Sequence, residues 1–301
     1  MIRPPLTTKT MNYKLLKKHN VYRMTQCLVL AFALFWAAAP SGAQTSVMTF
    51  NIRLDAASDG NNAWNNRKQA VCEMLRYYRP DLLGMQEVCP NQLDDLKANL
   101  SQYEALGVGR DDGKHKGEHS PIFFNKTRFT LVKHGDFSLS ETPETFGKKG
   151  WDASYNRVCT WAVLCDRQSG KKIAFFNTHL DNNGSVARRE GIRLVLNRAQ
   201  KYAPGMPTII TADYNCSDGE APFYVLRENG MDNARDISPI VYGPPYSWHD
   251  FGRLPVEERT LLDHVFVSHG VKALDYRVIQ DKPETVWLSD HYPIIVNIDY
   301  K

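Results

Sequence analysis

Short apolar runs of strand length, each closed by a polar residue or a turn signal, recur from Ser46 to the C-terminus, and only three stretches with helical spacing interrupt them. That ratio constrains the fold more than any other feature. The runs are SVMTFNIR (46–53), PDLLGMQEV (80–88), 121–124, 128–139, 159–166, 172–179, MPTIITADYN, TLLDHVFVS and YPIIVNIDY. Helical spacing covers 67–78, where Ala70, Val71, Met74, Leu75 and Tyr78 share a face, then 91–100 and 186–202. So many strands with so few helices predict two β-sheets packed face to face with helices outside, an α/β sandwich. A chain of 301 residues with 43% hydrophobic content can fill such a core. No repeat, linker or low-complexity tract divides it, so a single domain is expected over residues 44–301.

The first 43 residues read differently. Lys14, Lys17, Lys18 and Arg23 precede an apolar run from Leu28 to Ala39, and SGAQ at 41–44 offers the small residues that a signal peptidase requires. The run is short for a membrane span, which takes about 20 residues. Residues 1–43 are therefore expected to be an export signal cleaved after Ala43, which predicts a secreted or periplasmic protein with no stable membrane anchor. Cys27 opens the apolar run and does not follow it, which argues against a lipoprotein.

Cleavage changes the electrostatics. The segment holds six of the 37 basic residues (Arg3, Lys9, Lys14, Lys17, Lys18, Arg23) and no acidic one, which leaves 31 basic against 33 acidic. Proteins that track nucleic-acid backbones usually carry excess positive charge, because phosphate neutralisation supplies most non-specific affinity. Of the cysteines outside the segment, Cys159 and Cys165 face one way on one predicted strand but stand roughly 20 Å apart, too far to bridge. No C-x-x-C occurs, which argues against a structural zinc or thioredoxin-type site.

The predicted strands end in a particular set of side chains: Asn51 and Arg53, Glu87, His179, Asp213 and Asn215, Asp263, and Asp290 with His291. Each alone has a structural reading. Asn51 caps a strand, Glu87 faces a helix N-terminus, and Asp213 with Asn215, or Ser289 with Asp290, bends a turn. As a set they share one chemical purpose. Glu87 and Asp290 are hard oxygen ligands suited to Mg2+, which takes one or two carboxylates plus waters and substrate phosphate. Asp213 and Asn215 share a face if the strand persists, so one can accept a proton from water while the other orients it. His179 and His291 suit phosphate oxygens, with Asp263 behind His291 to fix its tautomer. Three long loops, 109–120, 140–156 and 243–259, are where substrate contacts are expected. The chain has no G-x-S-x-G elbow and no H-E-x-x-H pair, so a serine hydrolase and a zinc peptidase are disfavoured.

Six motifs, TFNIR, GMQE, NTHLD, TADYN, LLDHVFVS and SDHYP, occur in this order across nearly all of residues 44–301. In that order they resemble the endonuclease/exonuclease/phosphatase superfamily, whose members include deoxyribonucleases, abasic-site endonucleases, inositol-phosphate phosphatases and deadenylases. The resemblance implies a four-layered α/β sandwich with two mixed sheets, and divalent-metal-dependent hydrolysis of a phosphate ester with Mg2+ or Mn2+. Residue by residue, it implies Glu87 as the principal metal ligand, with Asn51 and Asp290 near the ion. Asp213 and Asn215 then handle the attacking water, His291 pairs with Asp263, and His179 is the second imidazole. It further suggests Glu118 as the group orienting His179, and Arg157 as a phosphate contact.

Two departures stand out. The family's Gly-Asp-Phe-Asn is here Ala212-Asp213-Tyr214-Asn215, which keeps both polar residues. Where several nucleases place an acid two residues after the first motif's Asn, this chain has Arg53, which loses one metal ligand and adds a cation aimed at phosphate. Finer stretches such as WNNRKQAV and LSETPETFGKKGWDASYNRVCTWA are similar to a bacterial subgroup that includes sugar-phosphate phosphatases. The charge balance favours a small phosphate ester, held by Arg53, Arg157 and the loop carrying Trp248 and His249, and acted on by a monomer. A nuclease acting on nucleic acid is the alternative. A secreted binding module that keeps the fold without activity is the non-enzyme alternative.

Overall fold

A computed structural model describes Met1 and residues 44–300. The expected export signal, residues 2–43, lies outside the described residues. Thirteen strands are described: β1 (Thr45–Asn51), β2 (Leu82–Gln86), β3 (Tyr103–Leu106), β4 (Ile122–Asn125), β5 (Phe129–Ser138), β6 (Val158–Asp166), β7 (Lys172–His179), β8 (Thr208–Asp213), β9 (Met231–Asn233), β10 (Val241–Tyr242), β11 (Asp263–Ser268), β12 (Val271–Val278) and β13 (Ile294–Tyr300). The helices are α1 (Trp64–Tyr78), α2 (Pro90–Asn99), α3 (Ser185–Tyr202), α4 (Ala221–Glu228) and the single turn α5 (Ala234–Ile237). Among the described residues no helix is long and apolar enough to cross a membrane.

The strands form a seven-stranded sheet in the order β10-β12-β13-β1-β2-β4-β3 and a six-stranded sheet in the order β5-β6-β7-β8-β11-β9. Each sheet has a central parallel pair, β1 with β2 and β7 with β8, flanked by antiparallel partners, and the two-residue β10 adds a further parallel pairing to β12 at one edge. A parallel pair needs a crossover of a dozen or more residues, and α1 and α3 supply the two crossovers. Helix α1 ends where Arg79 adopts the left-handed C-cap conformation (φ 47°), and Pro80, which cannot continue a helix, follows it.

Because each central strand alternates its side chains between two covered faces, both of its faces are apolar. Val47, Leu82, Ile173, Phe175, Ile209, Val265 and Val296 fill the space between the sheets. On the outside of the first sheet, Met48, Phe50, Leu83 and Met85 pack against Val71, Leu75, Leu93 and Leu96 of α1 and α2. On the outside of the second, Ala174, Phe176 and Ile210 pack against Ile192, Val195, Phe223 and Leu226 of α3 and α4. The result is helix, sheet, sheet, helix, the four-layered α/β sandwich expected.

Near the site the apolar layer gives way to a polar tie. Asn177 donates to the carbonyl oxygens of Met85 (2.7 Å) and Pro121 (3.0 Å), and its own oxygen accepts from Gln86 (2.8 Å) and Thr211 (2.9 Å). Gly84 makes this close approach possible. A Cβ there would stand 2.2 Å from Thr211 Oγ1 and 2.4 Å from Asn177 Oδ1.

Strands β3, β9, β10 and β12, and helix α4, were not anticipated. β9 and β10 are three and two residues long, below what a periodic signal resolves. In β12 a register shift between Ala273 and Asp275 breaks the alternation that would reveal a strand. All five cysteines among the described residues are free, and Cys159 and Cys165 lie along one strand, β6.

Candidate active site

The C-terminal ends of the β1–β2 and β7–β8 pairs reach the same rim of the sandwich. Asn51 ends β1, Glu87 follows β2, His179 ends β7 and Asp213 ends β8. The antiparallel neighbours deliver the rest. Asp263 opens β11 directly opposite Asp213, and Asp290 and His291 lie just before β13, the partner of β1. All of these side chains but Glu87, which is partly exposed, are buried.

Asn51 joins the two sheets at this rim. Its amide nitrogen donates to Glu87 Oε1 (2.9 Å) on its own sheet and to Asp213 Oδ2 (2.9 Å) on the other. Its oxygen accepts from the Arg53 backbone N–H (3.0 Å), so Asn51 spaces the two carboxylates here, and the ligand atom expected of it is turned to the backbone. Glu87, His179 and Asp213 offer donor atoms that lie within 4.8 Å of one another, as do Asp213, Asp263 and His291. Two carboxylates and an imidazole form a donor set that fits a divalent ion in the first group. In the second, His291 Nδ1 is 2.7 Å from Asp263 Oδ2, so these two atoms already serve each other.

The three residues that turn the chain at the rim, Arg53 (φ 58°), Glu87 (φ 62°) and Asn215 (φ 48°), all adopt the left-handed conformation without being glycine. Each such residue costs about 1–3 kcal/mol and persists only where surrounding bonds over-determine it. Glu87 is fixed by Asn51 and by the Leu54 N–H to Oε2 (3.0 Å). For Asn215 the result corrects an expectation. The strand does not persist past Asp213; the chain bends, the Asn215 N–H donates to Asp213 Oδ1 (2.9 Å), and the Asn215 amide swings to within 2.8 Å of His179 Nε2. The turn reading of this pair therefore holds, and the turn is what brings the Asn215 amide to His179.

Burial raises the Asp213 carboxyl to about 7, and the neighbouring Asp263 adds to the rise. Asp290 is likewise raised by burial, with the Glu87 charge contributing. Burial works against the charged form of His291, but Asp263, Asp213 and Asp290 outweigh it and raise the ring to about 10, so it is an imidazolium at neutral pH. His179 goes the other way: burial, then the cations Arg157, Arg110 and His291, hold it well below its ordinary value and neutral. One neutral and one charged imidazole thus flank Asp213, 3.5 and 3.9 Å from its Oδ2.

These groups line a cleft of about 440 Å3, whose walls include Arg53, Arg110, Tyr155, Arg157, Asn182 and Trp248. The loops 109–120, 140–156 and 243–259 all contribute, as expected. A larger cleft, about 660 Å3, lies at the opposite rim around Met206 and His269, and the exposed His269 imidazole is 3.3 Å from Asp232. Size there comes without a reactive constellation, so the smaller cleft is the candidate site.

Two further expected roles need correction. Glu118 does not orient His179; its carboxylate is taken by the Arg110 guanidinium at 2.6 and 2.8 Å. His249 does not line the cleft. It is buried between Trp287 and Tyr292, and its Nδ1 accepts from the Gly252 N–H (3.1 Å), while Trp248 beside it points to the substrate side. Arg157 is where it was expected, buried at the wall and anchored to Asp181 (3.3 Å). Asp181, Arg110 and Tyr155 were missed. Burial opposes ionisation of Asp181, but backbone N–H groups of Gly184, Ser154 and Asn183, with Arg157, win and lower it to about 2, which pins the Tyr155 loop. The acid closing NTHLD was its only sequence signal.

The sequence profile of the Endonuclease/Exonuclease/phosphatase family matches residues 48–291. Among solved structures, an endonuclease/exonuclease/phosphatase from Bacteroides vulgatus is 35% identical, with a TM-score of 0.84 over 86% of this chain and 100% of that one. A mannosyl-6-phosphatase from Bacteroides thetaiotaomicron is 32% identical, with a TM-score of 0.80 over 85% of this chain and 100% of that one. Human tyrosyl-DNA phosphodiesterase 2 is 28% identical over 86% of this chain and 69% of its own length. An uncharacterised protein of Acanthamoeba polyphaga mimivirus is 31% identical over 36% of this chain, which spans only 20% of that protein.

Proposed function

The chain belongs to the endonuclease/exonuclease/phosphatase family, whose members are divalent-metal-dependent phosphoester hydrolases, and from that premise we propose that it hydrolyses a small phosphate ester, with a sugar phosphate as the preferred class. The single observation that carries the choice is the cleft. At about 440 Å3 it suits a phosphate with one sugar-sized group, within the usual range for small ligands. The full-length likeness to a mannosyl-6-phosphatase supports the same reading.

In this reading Glu87, with Asp290 nearby, would hold Mg2+ or Mn2+, which leaves Asp213 free to act as the base. The ion would supply positive charge that polarises the phosphate and offsets charge developing on it. Asp213, raised to about 7, takes the proton of the attacking water at Oδ2. Asn215 keeps His179 in place beside it. His291, kept charged by Asp263, donates from Nε2 to a phosphate oxygen, and Arg157 supports the substrate from the wall. Phosphate release from phosphorylated sugars, inositol phosphates, nucleotides and nucleic acids, with Mg2+ or Mn2+, tests the proposal. Turnover of nucleic acid with none of any small ester would overturn it.

The match to human tyrosyl-DNA phosphodiesterase 2 over 86% of this chain supports a second reading, cleavage of nucleic-acid phosphodiesters. Salt separates the two. A duplex-tracking enzyme loses affinity with a slope near −0.9 per phosphate contacted, whereas KM for a small ester changes little between about 50 and 200 mM. We also propose that residues 1–43 direct export and are removed after Ala43. Native protein whose N-terminal sequence retains Leu28–Ala39 would contradict that.

A further inference from the structure

We propose that Arg53, clamped by Asp59, is a fixed cation standing where a second divalent ion would otherwise sit, so that the chain binds one ion, at Glu87. The inference rests on the metal reading of Glu87 given above. The Arg53 guanidinium lies between the two carboxylates nearest to it at the rim, with Nη1 4.0 Å from Glu87 Oε2 and Nε 3.9 Å from Asp290 Oδ2. Both are long ion pairs, so a fixed positive charge already stands beside Glu87 and Asp290 where a further dication would need those carboxylates. Paired ions in phosphoryl chemistry sit about 3.5–4 Å apart, and a second ion would have to share the Glu87 and Asp290 corner with the guanidinium. The guanidinium has taken that corner.

Its position is built into the fold. Asp59 holds Nε and Nη2 at 3.0 and 3.1 Å, a two-pronged grip that fixes the plane of the group. The left-handed backbone at Arg53 is pinned on both sides. Its N–H donates to Asn51 Oδ1 (3.0 Å), and its carbonyl accepts from Arg67 (2.8 Å) and Gln92 (2.8 Å). Arg67 is itself fully buried and also donates to the carbonyls of Asn62 and Leu288, which ties the Asp59 turn and the Asp290 segment to the same anchor. A free surface arginine needs none of this. On the far side of Asp213, His291 and Asp263 already face each other, so that corner is closed as well.

The test is calorimetric titration of chelator-treated full-length protein with Mn2+, with bound ion counted independently by electron paramagnetic resonance. Wild type is expected to bind one ion. Arg53→Ala should bind Mn2+ about tenfold more tightly or gain a second site, because a positive charge near two carboxylates is lost. Arg53→Lys keeps the charge and should stay within about twofold of wild type, and Asp59→Asn should move in the direction of Arg53→Ala by less. Circular dichroism and the thermal midpoint check that each variant is folded. Two ions of comparable affinity in wild type, or unchanged or weaker binding in folded Arg53→Ala, would overturn the inference while leaving the metal reading intact. No Mn2+ binding at all would overturn both.

Discussion

Replacing Asp263 with Asn removes a carboxylate 2.7 Å from His291 Nδ1 and leaves a side chain of nearly the same shape. In the intact site, burial disfavours the imidazolium, yet the acids around it, Asp263 foremost, raise the ring from 6.5 to about 10. Without Asp263, burial meets weaker opposition, and the ring is expected to titrate at or below its ordinary value. At pH 7.5 a group titrating near 10 is almost wholly protonated, whereas one titrating near 6.5 is only about one-tenth protonated, a loss of about tenfold in the active form. The deficit grows by about tenfold per pH unit until wild type begins to lose its own proton near 10. Asp263 also helps to raise Asp213, so its removal shifts the base toward lower pH, and both effects move the variant's optimum to acid. The assay is kcat against pH for both proteins on the best small ester, with the His291 ring followed by NMR. A constant ratio of the two rates across pH 5.5–9, or a ring that still titrates near 10 in the variant, would refute the assignment of His291's charge to Asp263.

Asp213→Asn should lower kcat by roughly 10²-fold or more with KM little changed, since the group acts on the reacting water; near-normal turnover would move the base elsewhere. Activity should vanish in excess EDTA and return with Mg2+ or Mn2+, and the thermal midpoint should rise with the added ion; full activity in chelator would contradict the metal reading. Gly84→Ala should destabilise the fold by about 1–3 kcal/mol, seen as a lower urea midpoint, because the new methyl meets an Asn177 side chain that its own hydrogen bonds keep in place.

The order of polar residues along the chain was enough to place Asn51, Glu87, His179, Asp213, Asp263, Asp290 and His291 at one rim, because a strand's end is a local property that apolar runs reveal. Roles that depend on what a side chain meets across a loop were not legible. Glu118 and His179 follow the family's pattern in sequence, yet Arg110 takes the carboxylate. Trp248 and His249 are consecutive, yet only the first reaches the cleft. Asp59 gave no signal at all, since its partner Arg53 becomes informative only when the left-handed turn brings the two together.

The placement of β13 has a consequence for biogenesis. This strand lies in the middle of its sheet, between β12 and β1, and so pairs with the first described strand. A chain cut before Ser289 lacks β13, which leaves β1 uncovered on one edge, and it also lacks Asp290 and His291. Closing the seven-stranded sheet and completing the reactive rim thus depend on the same segment, and a chain cut at Leu288 is expected to show no hydrolysis. A peptide spanning Ser289–Tyr300 added to a chain ending at Leu288 would be the minimal route to complementation.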